Sequence, residues 1–214
     1  LDALRALPPL FSAEFAIRPF FERDPARALA VVQSWTRDPS PHVRRLVSEG
    51  TRTRLPWGAR LPRFVQDPSP VLALLEQLKD DPSEYVRRSV ANNLNDLAKD
   101  HPELVIGVAE RWSVGASPER AKLLRHATRW LVKQGHAEAL ALHGARAELP
   151  VHVGKLSIAP KRVKVGDSIE LSCRVRNDAP QEVVVVVDYA VHHVKARGEK
   201  RSKVFKGVKL RLAP

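Results

Sequence analysis

The sequence predicts a mainly α chain, in which a solenoid of stacked helical repeats over residues 1–150 precedes a small all-β sandwich over residues 151–214. Two similar blocks lie 43 positions apart, Asp38-Pro-Ser-Pro-His-Val-Arg-Arg and Asp81-Pro-Ser-Glu-Tyr-Val-Arg-Arg. That spacing falls in the range of paired-helix repeats, which stack into a curved solenoid with a long concave face. Each block supplies an arginine pair at the same position, so the concave face is predicted to hold a polyanion.

The first 150 residues carry helical periodicity. Apolar residues recur at helical spacing in windows such as Pro70–Lys79 and Arg120–Leu131, as in amphipathic helices. Asp-Pro-Ser triplets precede the periodic segments. They are helix-start signals, because a short polar side chain caps free amide groups and proline is tolerated in the first turn. Repeat length and punctuation together fit HEAT and armadillo repeats.

After residue 150 the apolar residues alternate with polar ones, which is typical of half-buried strands. Glycine, asparagine and proline separate the alternating segments and are predicted to form the turns. The segments are 155–158, 168–176, 182–190 and 204–212. A short sandwich is expected, although 64 residues fall below the roughly 100 residues of an immunoglobulin domain.

Composition points to a nucleic acid or an acidic membrane surface as partner. The chain has 214 residues, 43% of them apolar and 28% charged, with a net charge of +12 and a pI of about 10.3. No apolar run approaches the roughly 18 residues of a membrane span, so no membrane insertion is expected. The single cysteine, Cys173, cannot form an internal disulfide, which favours a reducing, cytoplasmic setting. The start at Leu1 suggests a piece of a longer protein whose N-terminal part is missing.

Positive charge is clustered rather than evenly spread. The predicted β domain has fourteen Lys and Arg against six Asp and Glu. Between positions 44 and 63, six arginines accompany one acid, Glu49. Local clustering is more informative than the total, because the local potential is what retains phosphates.

Two longer segments carry a family resemblance. Residues 43–57, with Ser-Glu-Gly and Arg-Leu-Pro-Trp, and residues 85–102, with Ala-Asn-Asn-Leu-Asn-Asp, resemble the AlkC branch of the AlkC/AlkD superfamily of HEAT-like DNA alkylation repair glycosylases. The resemblance covers most of residues 1–150, and some members of that branch carry a C-terminal immunoglobulin-like domain. It implies hydrolytic excision of cationic N-alkylated bases, such as 3-methyladenine and 3-methylcytosine, in base excision repair. It also implies a monofunctional enzyme that grips bent double-stranded DNA without classical base flipping.

The chemistry of such a reaction favours acids and an aromatic. A positively charged base leaves without protonation, so carboxylates that stabilise the developing oxocarbenium sugar and orient a water suffice. An indole face attracts a cationic base by roughly 0.5 to 2 kcal/mol. No metal, lysine nucleophile or cofactor is required. We therefore expect none, and we expect a monomer in the bacterial cytoplasm, associated with the nucleoid.

Glu49 and Trp57 are the first catalytic candidates, because both lie in the motif that carries the resemblance. Glu49 follows Arg45 by four positions, so an exposed intrahelical ion pair is the alternative. It also precedes Gly50, a plausible end of the helix. Trp57 follows Pro56 in an arginine-rich segment. An ordinary core position is its alternative, but so charged a stretch favours an accessible indole.

Glu14 and Asp96 complete the catalytic set. On a helix Glu14 would lie beside Leu10, Phe11 and Ile17, where an acid is costly unless it is paired or used. Pairing with Arg18 is the alternative, and the resemblance favours a catalytic carboxylate in this part of the repeat domain. Asp96 is a weaker candidate, since it could bind a neighbouring arginine instead.

Arginines and polar residues on the repeat helices are the predicted phosphate ligands, because the guanidinium fork can grip two phosphate oxygens. Arg44 and Arg87 are instead expected to form internal ladders with aspartates. A solvated helix face is equally compatible with the spacing of Lys122, Arg125 and Arg129. The predicted DNA-binding set is Arg45, Arg52, Arg54, Arg88, Asn92, Asn93, Lys122 and Arg125.

The β domain shows no catalytic pattern. His192-His193 lacks further ligands for a metal site, and basic residues alternate with apolar ones, so one basic sheet face and one packed face are expected. We expect an accessory clamp on the DNA backbone. A second interpretation remains open: a non-catalytic HEAT-repeat scaffold or sensor that binds DNA or an acidic protein, since fold alone does not establish activity.

Overall fold

The computed structural model describes residues 2–7, 13–144 and 149–214. The chain divides into two compact units, Leu1–His143 and Gly144–Pro214. In the first unit the helices are α1 Asp2–Ala6, α2 Arg18–Arg23, α3 Pro25–Trp35, α4 Pro41–Gly50, α5 Pro62–Gln66, α6 Ser69–Leu78, α7 Glu84–Leu97, α8 Pro102–Ser113, α9 Pro118–Ala127, α10 Arg129–Lys133 and α11 Ala137–Ala141. None of the helices in these described ranges is long and apolar enough to cross a bilayer.

The first unit is a HEAT-like stack of helices. Helix α7 packs against both α4 and α9, so these three helices form one layer, here called the α4–α7–α9 layer. Fully buried apolar side chains fill the space between this layer and the neighbouring helices, among them Phe21, Phe64, Leu75, Leu94 and Leu97. Removing such side chains from water is the main stabilising contribution to the stack.

Aspartates, rather than serines, organise the starts of the repeat helices. The Asp38 and Asp81 carboxylates accept hydrogen bonds from the backbone amides of Ser40 at 2.9 Å and Ser83 at 2.8 Å. Ser40 and Ser83 occupy the N-cap positions without a side-chain cap of their own. The Asp-Pro-Ser triplets therefore mark helix starts as predicted. The side chain that accepts the backbone hydrogen bond is the aspartate, two residues before the serine at the N-cap.

The first arginine of each repeated pair links the turns. Arg44 pairs with Asp81 through a 2.6 Å contact from Nε, and it donates to the carbonyls of Asp38 and Pro39. Hydrogen bonding to Asp81 raises the pKa of the Arg44 guanidinium, although burial opposes it. Arg87 repeats the carbonyl contacts one repeat later. The predicted ladder with aspartate is confirmed for Arg44, whereas Arg87 binds backbone carbonyls.

One predicted helix is divided. The window Arg120–Leu131 ends as α9 at Ala127 and resumes as α10 at Arg129. Thr128 lies between them, and its hydroxyl donates to the Leu124 carbonyl at 2.8 Å and contacts His143 Nε2 at 2.6 Å. A local side-chain bond of this kind bends a helix, and sequence periodicity does not register it.

The second unit consists of paired antiparallel strands, as the alternation predicts. Its strands are β1 Val151–Val153, β2 Ser157–Ala159, β3 Glu170–Ser172, β4 Val175–Asn177, β5 Val183–Val194 and β6 Lys200–Leu212. They form three two-stranded ladders, β1 with β4, β2 with β3, and β5 with β6. The predicted single strand over 168–176 is therefore two short strands that pair with different partners.

The packed sheet face expected for this unit is observed only in part. At the start of β5, Val183 is buried and Val185 and Val187 are half-buried, whereas Val184 and Val186 on the opposite face are exposed, as is the rest of the strand from Asp188 onward. Strand β5 pairs with β6 alone, and no further strand of the described residues joins this ladder. The β5–β6 register shifts between Val187 and Asp188, where Gly207 approaches the Val187 carbonyl so closely that a Cβ would lie 2.0 Å from its oxygen. Glycine is thus required at this bulge.

Candidate active site

Two acids predicted from the sequence meet at one arginine. Glu14, in the turn that precedes α2, and Glu49, in the last turn of α4, lie 3.5 Å and 3.8 Å from Arg45 Nη2. Both carboxylates are buried. Glu14 was predicted on a helix beside Leu10 and Phe11, but it occupies a turn, and those two neighbours lie outside the described residues.

Glu49 is held more tightly by two other partners. Arg52 Nη1 lies 2.6 Å from its Oε1, and the Ser89 hydroxyl on α7 donates to its Oε2 at 2.6 Å. The exposed ion pair considered as an alternative is therefore ruled out, because Glu49 is buried and joins α4 to α7. Glu14 differs, since its Oε2 is buried without a hydrogen-bond partner among the described residues.

Asp96 joins this arrangement through Arg52. Its Oδ2 accepts from Arg52 Nε at 2.8 Å, and its Oδ1 lies 3.2 Å from Lys99 Nζ. Burial lowers the pKa of Arg52, but the charges of Glu49 and Asp96 outweigh it, so the net shift is upward. We call Glu14, Glu49 and Asp96 the acidic cluster.

The end of α4 is placed by a close backbone approach. A Cβ built on Gly50 would lie 2.6 Å from the Ile17 side chain, so only glycine allows the turn that carries Glu14 to pack here. Arg18, considered as the alternative partner of Glu14, does not bind it. Its guanidinium instead donates to the backbone carbonyls of Gly50, Arg52 and Ala59.

Trp57 lies in the loop between α4 and α5, residues 51–61, here called the Trp57 loop. Its side chain is 99% exposed, as the charged segment predicts, and its backbone adopts φ 60°. Within the described residues Trp57 makes no hydrogen bond or aromatic contact. The structure therefore brings the acids together and presents the indole to solvent.

Several predicted phosphate ligands are already engaged. Arg52 is 8% exposed and Asn93 is fully buried, where it donates to the Ser48 carbonyl at 2.8 Å. These two placements correct the expectation that both residues face DNA, since neither side chain has a free surface. Arg54 makes a two-point contact with Asp100 at 3.0 and 2.5 Å, and that hydrogen bonding lowers the pKa of Asp100.

The remaining cations of the predicted DNA-binding set lie on the helices of the α4–α7–α9 layer. Arg88 and Lys122 are each 65% exposed at the side chain and share Glu84 at 2.9 and 3.0 Å, and Arg125 is exposed on α9. Arg45 is 21% exposed at the side chain and lies over the Tyr85 ring at 4.9 Å. Arg45, Arg88 and Lys122 each follow the serine that precedes their helix by five positions, so they occupy equivalent places on successive helices.

Polar contacts also connect α7 to α9. Asn92 Oδ1 lies 2.8 Å from His126 Nε2 and 3.3 Å from Arg129 Nη2. Burial, then the charges of Arg129 and Arg88, lower the pKa of His126. Its Nε2 donates to Asn92 Oδ1, because an amide oxygen can only accept. A groove of about 250 Å³ runs between the two helices, lined by Glu84, Arg87, Arg88, Ala91, Glu119, Lys122, Leu123 and His126.

Comparison with known families gives two matches. Residues 11–137 match the family described as "DNA alkylation repair enzyme". Residues 152–214 match the family described as "Uncharacterised protein YhaZ, C-terminal Ig-like domain". The first match spans the acidic cluster, the Trp57 loop and the α4–α7–α9 layer.

Relatives and solved structures agree with these matches. Uncharacterized protein YhaZ of Bacillus subtilis (strain 168) is 44% identical over 206 residues, which cover 96% of this chain and 57% of that protein. The Pseudomonas fluorescens alkylpurine DNA glycosylase AlkC, bound to DNA containing an abasic site analog, is 45% identical with a TM-score of 0.92, covering 99% of this chain and 59% of that one. AlkD2 from Streptococcus mutans is 28% identical with a TM-score of 0.51 over 60% of this chain and 64% of its own. The chain thus spans less than two thirds of the length of these relatives.

Proposed function

Because the chain belongs to the DNA alkylation repair enzyme family, we propose that it is a DNA glycosylase for cationic N-alkylated bases of the 3-methyladenine and 3-methylcytosine class. It hydrolyses the N-glycosidic bond in double-stranded DNA, as the first step of base excision repair. It acts as a monomer on a bacterial chromosome and reaches the lesion without rotating the nucleotide into a deep pocket.

The convergence of two acids on one guanidinium carries this proposal. Glu14 and Glu49 come from different elements and lie within 3.5 and 3.8 Å of Arg45 Nη2. Both contacts are long compared with the 2.6 Å contact between Arg52 and Glu49. The two acids therefore hold Arg45 loosely, and a DNA phosphate can replace them as the partner of its guanidinium.

The carboxylates supply what the reaction needs. A cationic base departs as a neutral leaving group, so positive charge accumulates on the sugar and is stabilised by nearby negative charge. Glu49, fixed by Arg52 and Ser89, is the carboxylate held in a defined position. Glu14 Oε2 has no hydrogen-bond partner among the described residues, so it is suited to accept a hydrogen bond from the attacking water.

Asp96 and Trp57 have supporting roles. Asp96 orients Arg52, which in turn holds Glu49, and it adds negative charge to the cluster. The exposed indole of Trp57 offers a face to the alkylated base, and cation–π attraction of roughly 0.5 to 2 kcal/mol favours a charged base over a neutral one.

The cations of the α4–α7–α9 layer position the duplex. The cations exposed enough to contact phosphate are Arg45, Arg88, Lys122 and Arg125. Asn92 lies beside them on α7. Arg52, Arg54 and Asn93 hold the protein together instead. The basic β domain, with fourteen Lys and Arg, adds a contact to the DNA backbone. Such contacts bind without reading sequence.

Hydrolysis without strand cleavage fits the site. Glycosylases that also cleave the backbone need a free amine as nucleophile, but Lys99 Nζ beside the acidic cluster is already engaged by Asp96 Oδ1 at 3.2 Å. We therefore expect an intact abasic strand as product. Heating in alkali should be needed to break that strand, and borohydride should trap no covalent complex with DNA.

Release of free base is the decisive measurement. Duplex DNA carrying 3-methyladenine is incubated with the protein, and free base is measured in a single turnover. Glu49→Gln should lower the rate at least about 100-fold, the cost of removing one transition-state stabiliser, while DNA affinity stays within about threefold. Glu110→Gln, an exposed acid on α8, is the matched control. Release no faster than the spontaneous rate would leave a non-catalytic DNA-binding scaffold as the function.

A further inference from the structure

Arg18 is a buried cation without a carboxylate partner among the described residues. It is 5% exposed, and its Nη1 donates to the carbonyls of Gly50 at 3.1 Å and Arg52 at 2.8 Å. Its Nη2 donates to the Ala59 carbonyl. The first carbonyl ends α4 and the third lies just beyond Trp57, so one guanidinium holds both ends of the segment 50–59.

Burying a charge in this way is costly, and the structure shows the cost. Burial lowers the pKa of Arg18, with Arg52 adding to the effect and Glu22 opposing it. Its Nε is buried and has no hydrogen-bond partner within the described part of the chain. An apolar side chain would fill such a site more cheaply, so the three carbonyl contacts are what the guanidinium contributes. The planar guanidinium of an arginine can donate to several acceptors that lie in different directions, whereas the ammonium of a lysine cannot reach all of them.

The segment that Arg18 holds is strained at its tip. Leu55 and Leu61 are buried and anchor the loop from inside, and the Gly58 amide closes a turn on the Leu55 carbonyl at 3.0 Å. Between them Trp57 has φ 60°, and its side chain makes no hydrogen bond or aromatic contact with any residue that the structure describes. A left-handed conformation costs a bulky residue about 1 to 2 kcal/mol, and it persists only where the surroundings impose it.

We propose that Arg18 is the positioning residue for Trp57: it fastens both ends of the Trp57 loop to the end of α4 and so fixes the indole relative to Glu49. The assignment rests on the proposed function, in which Trp57 faces the alkylated base. Arg18 itself touches neither base nor sugar. It acts through the loop, and its loss lets the indole move away from the position in which it meets the lesion.

Two substitutions test the assignment in the full chain. Arg18→Gln removes the charge and the fork, and Arg18→Lys keeps the charge but shortens its reach. Arg44→Gln is the control, because Arg44 also donates to two carbonyls but lies at the start of α4, away from the Trp57 loop. Thermal unfolding identifies folded variants before any further comparison. Should Arg18→Gln not fold, Arg18→Lys carries the test.

Loop position is measured first, independently of any activity. Trypsin cleavage after Arg52, Arg54 and Arg60 is followed by peptide mass under native conditions. We expect cleavage at least tenfold faster in both Arg18 variants and unchanged in Arg44→Gln. Equal rates in Arg18 variants and wild-type protein overturn the assignment. This readout still decides the question if the wild-type protein releases no base, in which case the proposed function fails on its own.

Base release then tests whether Arg18 acts through Trp57. Arg18→Gln should slow single-turnover release about as much as Trp57→Ala does, with DNA affinity within about threefold. The double variant should be no slower than the slower single variant, because residues that act as a unit are non-additive. Losses that multiply in the double variant, or an Arg18→Gln rate equal to the wild-type rate, overturn the proposal.

Discussion

Arg52 Nη1 lies 2.6 Å from Glu49 Oε1, three positions earlier in the chain. The same guanidinium reaches Asp96 on α7 at 2.7 Å, so it bridges α4 and α7 through two acids. An arginine in this position cannot also serve DNA without giving up close ion pairs to two buried carboxylates, which is strongly unfavourable. The charge of Arg52 therefore belongs to the acidic cluster.

Salt dependence of DNA binding should separate the two kinds of arginine. Each of Arg88→Gln and Lys122→Gln should reduce the slope of log affinity against log salt by about one, because one phosphate contact is lost. Arg52→Gln should leave the slope unchanged. Titrations of labelled duplex at several salt concentrations provide the measurement. A reduced slope for Arg52→Gln would show that its ion pairs open to admit a phosphate.

Trp57→Gly should weaken catalysis while preserving or raising stability. Glycine adopts φ 60° without steric cost, and the exposed indole contributes no packing, so the melting temperature should stay level or rise by a few degrees. Base release should fall about tenfold, in line with the loss of a cation–π contact. Trp57→Phe, which keeps an aromatic face, should lose less activity. A melting temperature that falls by several degrees contradicts the placement of Trp57.

Gly50→Ala should destabilise the protein by about 1 to 3 kcal/mol, because the added methyl would lie 2.6 Å from the Ile17 side chain in a close-packed region. Gly107→Ala on α8 is the matched control. Its methyl meets only the Arg111 guanidinium, at 3.7 Å, so the helix should gain roughly 0.5 to 1 kcal/mol. Chemical denaturation of both variants measures the difference, and equal shifts in the two would refute the close approach.

The Arg54–Asp100 pair should make stability depend on pH in the acid range. Hydrogen bonding to Arg54 lowers the pKa of Asp100 in the folded state. A depressed carboxyl pKa contributes stability that is present above the unfolded value, roughly 3.9, and is lost as pH falls through the folded value. Asp100→Asn should therefore be less stable than wild type at pH 7 by about 1 kcal/mol. The difference should shrink as pH falls below about 4. A gap that persists at pH 2 contradicts the assignment to this pair.

The sequence identifies the motif residues but not the residue that positions them. Glu14, Glu49, Asp96 and Trp57 can be selected from the sequence because the motif and the chemistry of a cationic leaving group both favour acids and an indole. Arg18 cannot, since its partners are three backbone carbonyls more than thirty positions away. The sequence offered Arg18 only as the alternative partner of Glu14, four positions earlier, and that pairing does not form.

Side-chain exposure is a second property that the sequence does not reveal. Arg45, Arg52 and Arg54 look alike in a basic segment, yet only Arg45 keeps loose contacts, because Asp96 and Asp100 come from α7 and the turn that follows it. The sequence separations of Arg52 from Asp96 and of Arg54 from Asp100 follow no helical or strand period. Strand pairing in the second unit was likewise hidden, since alternation marks a strand but does not choose its partner.

By itself the sequence determined the repeat architecture, the helix starts and the residue types of the acidic cluster, because periodicity, proline and the Asp-Pro-Ser turns act within a few neighbouring positions. Tertiary structure decided which arginines are buried against acids and which stay exposed on the helices, where α9 ends, and how the Trp57 loop is held. These outcomes depend on contacts between separate helices, in which one guanidinium chooses among acceptors that the linear chain leaves far apart.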